Sequence, residues 1–283
     1  MAKGTIKMNN PPPPPPVIPA PGRSEKYKGV KHTILVMSGK GGVGKSTIAV
    51  NLAVTLADMG YKVGLIDADI SGPDDPKMLG VSDGKVYADE KGIVPLDTNY
   101  GVKVILMAFL LPSEDTAVIW RGALRHKAVQ QFLEDVIWTD TDYVIMDFPP
   151  GTGDEALTVA QLIPQADGAI IVITPQDVAV LDASKAISFA NQLKINVLGV
   201  VENMSGFICP HCGKKTDIFK SGSSAALSKK YGISVLSQIP FFPDVVTNAD
   251  EGIPAVRANK EMEMIFRKTA ESLIQKTKER VGK

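Results

Sequence analysis

The chain has 283 residues, of which 44% are hydrophobic and 22% are charged, so it is long enough to bury a substantial core without disulfide bonds. Its 31 basic residues balance its 31 acidic residues, which disfavours a dedicated nucleic-acid-binding protein. The longest apolar stretch, Val104 to Leu111, is far shorter than the ~20 residues of a membrane-spanning helix. Met1 to Asn10 lacks the apolar core of a signal peptide, so we expect a cytoplasmic protein with neither nucleic acid nor membrane as a partner.

The N-terminal segment, residues 1–30, is predicted to be a flexible, proline-rich extension of a single domain that spans residues 31–283. It contains the unbroken proline run Pro11 to Pro16. Proline lacks the N–H donor that a sheet or a helix interior requires, and such a run favours the polyproline II conformation. We interpret the segment as a tail or spacer, and the alternative is a docking segment for a proline-binding partner.

From Lys31 onward, apolar runs alternate with amphipathic stretches. We expect strands at His32–Ser38, Lys62–Asp67, Lys103–Met107, Tyr143–Asp147, Gly168–Thr174, Val197–Glu202 and Ile233–Ile239. We expect helices at Lys45–Met59, Gly122–Ile137, Val178–Leu193, Ser223–Lys230 and Glu261–Lys278, and an irregular excursion from Ala68 to Tyr100. Continuous apolar strands separated by helices are typical of an α/β fold, in which helices cover both faces of a mostly parallel sheet.

Between the first strand and the first helix lies a match to the phosphate-loop pattern G-x-x-x-x-G-K-[ST]. Glycines in such a loop aim backbone N–H groups at phosphate oxygens, and the helix N-terminus adds a positive field. The lysine reaches the β- and γ-phosphates and the serine hydroxyl can ligate Mg²⁺. We therefore expect ATP and Mg²⁺ to bind here. The predicted ATP-binding residues are Gly39, Lys40, Gly41, Gly42, Val43, Gly44, Lys45, Ser46 and Thr47.

The second lysine of the loop, Lys40, has two interpretations. It is either a solvated surface residue or the signature lysine of a deviant Walker A motif. The sequence K-G-G-V-G-K-S resembles, in all seven letters, the motif of the MinD/ParA/nitrogenase-iron-protein class. In that class the extra lysine reaches across a dimer interface to the nucleotide of the partner chain. The resemblance implies a homodimer in which Lys40 assists catalysis in trans, much as an arginine finger does.

Two aspartates close apolar strands, where ligands of a parallel sheet gather. Asp67 follows the second strand and Asp147 ends the run Y-V-I-M-D. Together with Ser46 they are our predicted Mg²⁺ ligands, Asp67 acting through a water or a neighbouring hydroxyl. The alternative for Asp147 is a helix cap or a turn. The class resemblance implies that Asp69 orients the attacking water and that Gly151 to Gly153 forms switch II.

The same resemblance implies a binding site for the base. Asn203, just after the strand V-L-G-V-V-E, would read the edge of adenine through its amide. Pro240, in the turn Ile239 to Phe241, would flank the base.

The two cysteines of the chain, Cys209 and Cys212, form one C-x-x-C motif. This spacing brings two sulfurs within reach of one metal or cluster. A zinc site would need further ligands, and a dithiol redox motif normally opens a helix, whereas Gly213 follows here. Two chains related by a two-fold axis would supply the four thiolates of a bridging [4Fe–4S] cluster. We favour that cluster, and zinc in the same geometry is the alternative because thiolates alone do not separate the two metals.

Taken together, these motifs resemble the Mrp/ApbC family of iron–sulfur cluster carrier ATPases. The resemblance implies ATP binding with slow hydrolysis, a labile bridging [4Fe–4S] cluster and transfer of that cluster to apo iron–sulfur acceptor proteins. Ser71 replaces the usual tyrosine, and Ala123 and Leu124 replace the usual Pro-Met. The blocks that carry the resemblance are Ser38–Thr47, Leu65–Gly80, Trp120–Leu133, Asp142–Glu155, Thr174–Ile187 and Val201–Phe219.

Two other functions compete with this one. A MinD/ParA-like positioning switch would bind membrane or DNA in its ATP form and would need an amphipathic tail. The last predicted helix has an apolar stripe, which we interpret as a core face rather than a membrane anchor. Electron donation like that of the nitrogenase iron protein is weaker, because both cysteines lie in one C-x-x-C. The residues of the stripe are Met262, Phe266, Ala270, Leu273 and Thr277.

Overall fold

The computed structural model describes residues 27–69, 75–81, 86–107, 130, 133–163, 166–209, 211–218 and 222–281. The strands in these residues are β1 Val30–Ser38, β2 Val63–Asp67, β3 Tyr87–Asp89, β4 Gly92–Val94, β5 Leu96–Asp97, β6 Val102–Leu106, β7 Thr141–Asp147, β8 Gly168–Ile173, β9 Val197–Ile208, β10 Lys215–Thr216 and β11 Val235–Phe241. The helices are α1 Lys45–Asp58, α2 Asp75–Met78, α3 Asp154–Leu162, α4 Asp177–Gln192, α5 Ser223–Tyr231, α6 Asp244–Asp250, α7 Ala255–Ala258 and α8 Lys260–Val281. The proline run and most of the helix predicted at Gly122–Ile137 lie outside the described residues.

One central sheet organises the domain. Its strands follow the order β10-β9-β8-β1-β7-β2-β6-β5, and β11 pairs with β9. The pairs that join β9, β8, β1, β7, β2 and β6 are parallel, as is the pair of β9 with β11, whereas β5 and β10 pair antiparallel. The predicted mostly parallel α/β sheet is confirmed.

Helices cover both faces of the sheet, because its central strands are apolar throughout. On one face, Ile48 and Leu52 of α1 and Phe266 of α8 pack into a buried cluster. On the other face, Val159 of α3 and Ile187 of α4 belong to a second cluster. The carboxyl ends of β1, β2 and β7 therefore share one edge between the two layers, which is where the phosphate loop begins.

The apolar stripe of the last helix is a core face, as predicted. Its members are at most 2% exposed, because α8 packs lengthwise on the sheet and on α1. Among the described residues, no helix is both long and apolar enough to cross a membrane. The buried residues of the stripe are Met262, Phe266, Ala270, Leu273 and Thr277.

The structure extends two of the sequence predictions. Strand β9 continues to Ile208, whereas the sequence predicts an end at Glu202, because β11 and β10 supply backbone partners along its second half. At the N-terminal side, Tyr27 is fully buried and shares a hydrogen bond of 2.8 Å with Thr33. Tyr27 therefore packs against the core. The predicted boundary between the extension and the domain, at residue 30, stays a prediction.

Candidate functional site

The phosphate loop lies between the end of β1 and the start of α1, as the motif requires. Gly42 and Gly44 adopt left-handed backbone conformations, with φ of 76° and 82°. A Cβ atom on Gly44 would lie 2.2 Å from Nδ2 of Asn203, and one on Gly39 would lie 2.1 Å from the carbonyl oxygen of Asp182. Glycine is thus required both by conformation and by close packing.

Lys45 and Ser46 both contact the carboxylate of Asp147. Lys45 Nζ lies 2.6 Å from Oδ1, and Ser46 Oγ donates a hydrogen bond of 2.6 Å to Oδ2. The side chains of Lys45 and Asp147 are only 7% and 1% exposed. Burial raises the pKa of Asp147, and the charge of Lys45 opposes that rise. The lysine ammonium group is therefore held at the phosphate loop in advance of any ligand.

Asp67 lies beside Asp147 in the register of β2 and β7. Burial, and next the negative charge of Asp147, raise the pKa of Asp67 to about 8. The backbone N–H groups of Asp69 and Asp75 donate to its carboxylate, at 3.0 and 3.3 Å. Crowded carboxylates of raised pKa favour a bound cation, and carboxylate and hydroxyl oxygens are the ligands that Mg²⁺ prefers. The donor set of Ser46, Asp67 and Asp147 therefore fits Mg²⁺.

Asp75 is a third carboxylate at this place, and the sequence analysis missed it. One ligand atom from each of Asp67, Asp75 and Asp147 lies within 4.8 Å of the others, and all three residues are buried. Asp75 lies within the stretch predicted to be irregular and begins the short helix α2, so its sequence position alone gives no sign of the contact. Its carboxyl oxygens thus add to the donors at the edge of the sheet where a cation would bind.

Lys40 lies outside this buried group. Its Nζ donates a hydrogen bond of 3.4 Å to Oε1 of Gln176, the residue before α4. The predicted switch II segment begins beside the same loop, because the N–H of Gly151 donates to the carbonyl of Ser38 at 3.0 Å. Asp69 is half-buried and close to Asp67. The catalytic roles of Lys40 and Asp69 stay predictions.

Asn203 contacts the phosphate loop directly. Its Nδ2 donates a hydrogen bond of 2.9 Å to the carbonyl oxygen of Val43. On the neighbouring strand β11, Ile239 stands in register with Asn203, and Pro240 follows it. The structure thus brings Asn203 to the nucleotide loop, and its contact with the adenine edge, like that of Pro240, stays a prediction.

The two cysteines lie in a tight turn between β9 and β10. The N–H of Gly213 donates to the carbonyl of Cys209 at 2.8 Å, and the N–H of Cys209 donates to the carbonyl of Lys214 at 3.0 Å. Both thiols are free; Cys209 is half-buried and Cys212 is exposed. Backbone N–H groups of Cys212 and His211, together with the Cys212 thiol, lower the pKa of the Cys209 thiol. The turn leads into a strand, so the pair does not open a helix as a dithiol redox motif normally does.

Comparisons with known proteins agree with this geometry. A family model described as ParA, NUBPL iron-transfer P-loop NTPase, matches residues 29–276. The iron-sulfur cluster carrier protein of Methanocaldococcus jannaschii is 47% identical over 252 residues, which cover 89% of this chain and 87% of that protein.

Solved structures show the same architecture. A nucleotide-binding protein from Archaeoglobus fulgidus, solved with ADP, is 42% identical and covers 81% of this chain and 89% of its own, with a TM-score of 0.71. The cell division ATPase MinD of Pyrococcus furiosus is 23% identical and covers 86% of this chain and 98% of its own, with a TM-score of 0.63. The second match supports the fold alone.

Proposed function

Because the chain belongs to the family of NUBPL iron-transfer P-loop NTPases, we propose that it is an ATP-hydrolysing carrier of iron–sulfur clusters. It acts as a homodimer in the cytoplasm, binds a bridging [4Fe–4S] cluster as cargo, and passes that cluster to apo iron–sulfur proteins. One observation carries the proposal. A single strand, β9, holds Asn203 against the phosphate loop and runs directly into the cysteine pair.

The nucleotide part of the function uses the buried phosphate loop. Backbone N–H groups of residues 41–46 and the ammonium of Lys45 bind the phosphates. Asp69 orients the water that attacks the γ-phosphate, and Lys40 of the second chain offsets the charge that develops there. Asn203 and Pro240 hold the adenine. Because Asp147 and Asn203 already order the loop, its phosphate-binding groups are in place before ATP binds.

Mg²⁺ would be held by Ser46, Asp67 and Asp147, whose oxygen donors fit a hard cation. When bound, it neutralises phosphate charge. Without it, Lys45 is the positive group in contact with Asp147.

The cluster part of the function needs two chains. Each chain offers two thiols on an exposed turn, and a [4Fe–4S] cluster takes four thiolates. The lowered pKa of Cys209 favours the thiolate form that binds iron. Exposure of the turn lets an acceptor protein approach the cluster. These features support a labile cargo site on a two-fold axis rather than a buried structural metal centre.

The alternative function, a MinD/ParA-like positioning switch, loses the sequence feature that could have attached it to a membrane. The apolar stripe that could have anchored such a switch to a membrane is buried against α1 and the sheet. The cysteine pair, by contrast, has no part in that alternative. The observations therefore favour the cluster carrier.

Anaerobic reconstitution with iron and sulfide tests the proposal. We expect the wild-type protein to bind a [4Fe–4S] cluster, to sediment as a dimer when loaded, and to restore activity to an apo-acceptor enzyme. Cys209→Ala should abolish cluster binding and transfer while ATP binding persists, and Thr216→Ala, an exposed substitution on β10, is the matched control. Zinc without iron in the anaerobically prepared protein, or normal transfer by Cys209→Ala, would refute the cluster assignment.

A further inference from the structure

The segment that carries the cysteines is closed at its base by one buried carboxylate. We call residues 205–224 the cysteine excursion; the structure describes residues 205–209, 211–218 and 222–224 of it, which include the end of β9, β10 and the start of α5. Glu202 is fully buried at its base. Its Oε1 accepts a hydrogen bond of 2.8 Å from Ser205 Oγ, and its Oε2 accepts one of 2.9 Å from the N–H of Ser224. Both ends of the excursion therefore meet on a single side chain.

A third bond fixes this carboxylate to the sheet. Gln238 of β11 donates from Nε2 to Oε1 of Glu202 at 3.0 Å, and to Ser224 Oγ at 3.2 Å. A buried carboxylate is costly unless its oxygens are bonded, and here both oxygens have donors. Glu202 is thus a fixed point at which β9, β11 and α5 are joined.

The same point is linked to the phosphate loop by two routes. Along β9, the residue next to Glu202 is Asn203, whose amide donates to the carbonyl of Val43. Through α4, Lys40 donates to the side chain of Gln176, and the carbonyl of Gln176 accepts a hydrogen bond of 3.4 Å from Ser223 Oγ. A nucleotide that draws Lys40 away or moves the backbone at Val43 acts on both ends of the excursion.

The backbone between the two sites is bent in an unusual way. Met204 and Gly206 adopt left-handed conformations, with φ of 58° and 89°. A glycine adopts this conformation readily, whereas at Met204 the surrounding contacts must impose it. Ser205, which is bonded to Glu202, lies between the two bends. The path from Asn203 to Cys209 therefore depends on the contact with Glu202.

We propose that Glu202 is a positioning residue through which occupancy of the phosphate loop sets the exposure and spacing of Cys209 and Cys212. Since one carboxylate holds both ends of the excursion, a displacement of β9 at Asn203 moves them together. The inference rests on the proposed function, in which nucleotide and cluster bind the same chain, and adds the regulation of one site by the other.

The test measures thiol reactivity in the full-length, metal-free, reduced protein. Alkylation of each cysteine by iodoacetamide is followed by mass spectrometry with and without Mg²⁺ and a non-hydrolysable ATP analogue. We expect the nucleotide to change the wild-type rate about fivefold or more, the lower end of usual coupling between sites. Glu202→Gln should bring this ratio close to one while nucleotide affinity is kept, because an amide cannot accept at both of its terminal atoms. Glu271→Gln, an exposed substitution on α8, should keep the wild-type ratio.

If Glu202 has a purely structural role, Glu202→Gln should change the alkylation rates with and without nucleotide but not the ratio between them. An unchanged ratio in Glu202→Gln, or a wild-type protein whose thiols do not respond to nucleotide, would overturn the inference. If Glu202→Gln fails to fold, Ser205→Ala and Gln176→Ala each remove one link, and wild-type ratios in both would also overturn it. Cluster binding is assayed separately, so a chain that responds to nucleotide but takes up no cluster would refute the proposed function alone.

Discussion

The phosphate loop and the cysteine turn are built in opposite ways. At the phosphate loop, Lys45 and Asp147 are almost fully buried and already in contact, and Asn203 of β9 donates a hydrogen bond to the loop backbone. At the turn, Cys209 and Cys212 are partly or fully exposed and supply only half of the thiolates that a [4Fe–4S] cluster needs. One chain thus holds the residues that we propose to bind the phosphates and Mg²⁺. In the proposed function the cysteine site is complete only in a dimer, which suits a cargo that must leave.

The largest expected effect is on ATP binding at the phosphate loop. Lys45→Ala should weaken ATP binding by at least ~100-fold, about 2.7 kcal/mol, because it removes the buried cation that faces the phosphates. It also leaves Asp147 without its charge partner, which costs about 3–5 kcal/mol of folding stability for a buried pair. Calorimetric titration with ATP measures the affinity. Lys229→Ala, at the exposed end of α5, is the control.

If the alanine variant does not fold, Lys45→Met keeps most of the buried chain and removes only the charge. Wild-type affinity for ATP in either variant would mean that the phosphate loop is not preorganised by Lys45.

Much of this contrast is predictable from the sequence, because both sites are marked by local patterns. Asp67 and Asp147 are polar residues that end apolar runs, and parallel strands bring such ends to one edge. Cys209 and Cys212 are recognisable by their spacing alone. In each case the chemistry lies within a few residues of a strand boundary.

The remaining parts depend on contacts between distant segments. Glu202 looks like the last residue of a strand, but it is buried by donors that lie 22 and 36 residues later, in Ser224 and Gln238. Asp75, at the start of α2, lies beside Asp67 and Asp147 only in the folded chain. No local pattern encodes these contacts, so sequence periodicity could not predict them.

The next effect tests whether the nucleotide site, complete for binding, is also complete for catalysis. Lys40→Ala should bind ATP normally and hydrolyse it at least ~10-fold more slowly, because the charge supplied in trans is lost. Phosphate release at saturating ATP measures this. Mixing Lys40→Ala chains with Lys45→Ala chains should restore part of the activity, since each mixed dimer contains one composite site with both lysines. Unchanged turnover in Lys40→Ala, or no recovery on mixing, would argue against a role across the dimer.

A smaller effect is expected on the pH dependence of folding stability, because Asp67 is buried. The pKa of Asp67 is about 8 in the folded protein and about 3.9 in an unfolded chain. The protonated form is therefore favoured by folding, and its contribution to stability is full below about pH 4 and is lost as the pH rises through 8. Urea unfolding of metal-free protein between these limits should show this decline, and Asp67→Asn should flatten it. Asp97→Asn, on exposed β5, should leave the slope unchanged; an equal slope in Asp67→Asn would contradict the assignment.

The smallest expected effect concerns the ionisation of Cys209. It tests whether the turn favours the thiolate form although one chain supplies only two thiols. Because N–H groups of the turn lower the pKa of Cys209, its alkylation rate in metal-free protein should rise at lower pH than that of a cysteine in an unstructured peptide. Cys212→Ala keeps the backbone donor, which is the largest cause, and removes the side-chain donor, so it should shift the profile only part of the way toward the peptide. A wild-type profile equal to that of the peptide would mean that the turn does not prepare the thiolate. The contrast between the phosphate loop and the cysteine turn would then be larger, because only the second chain and the cluster could organise the thiolates.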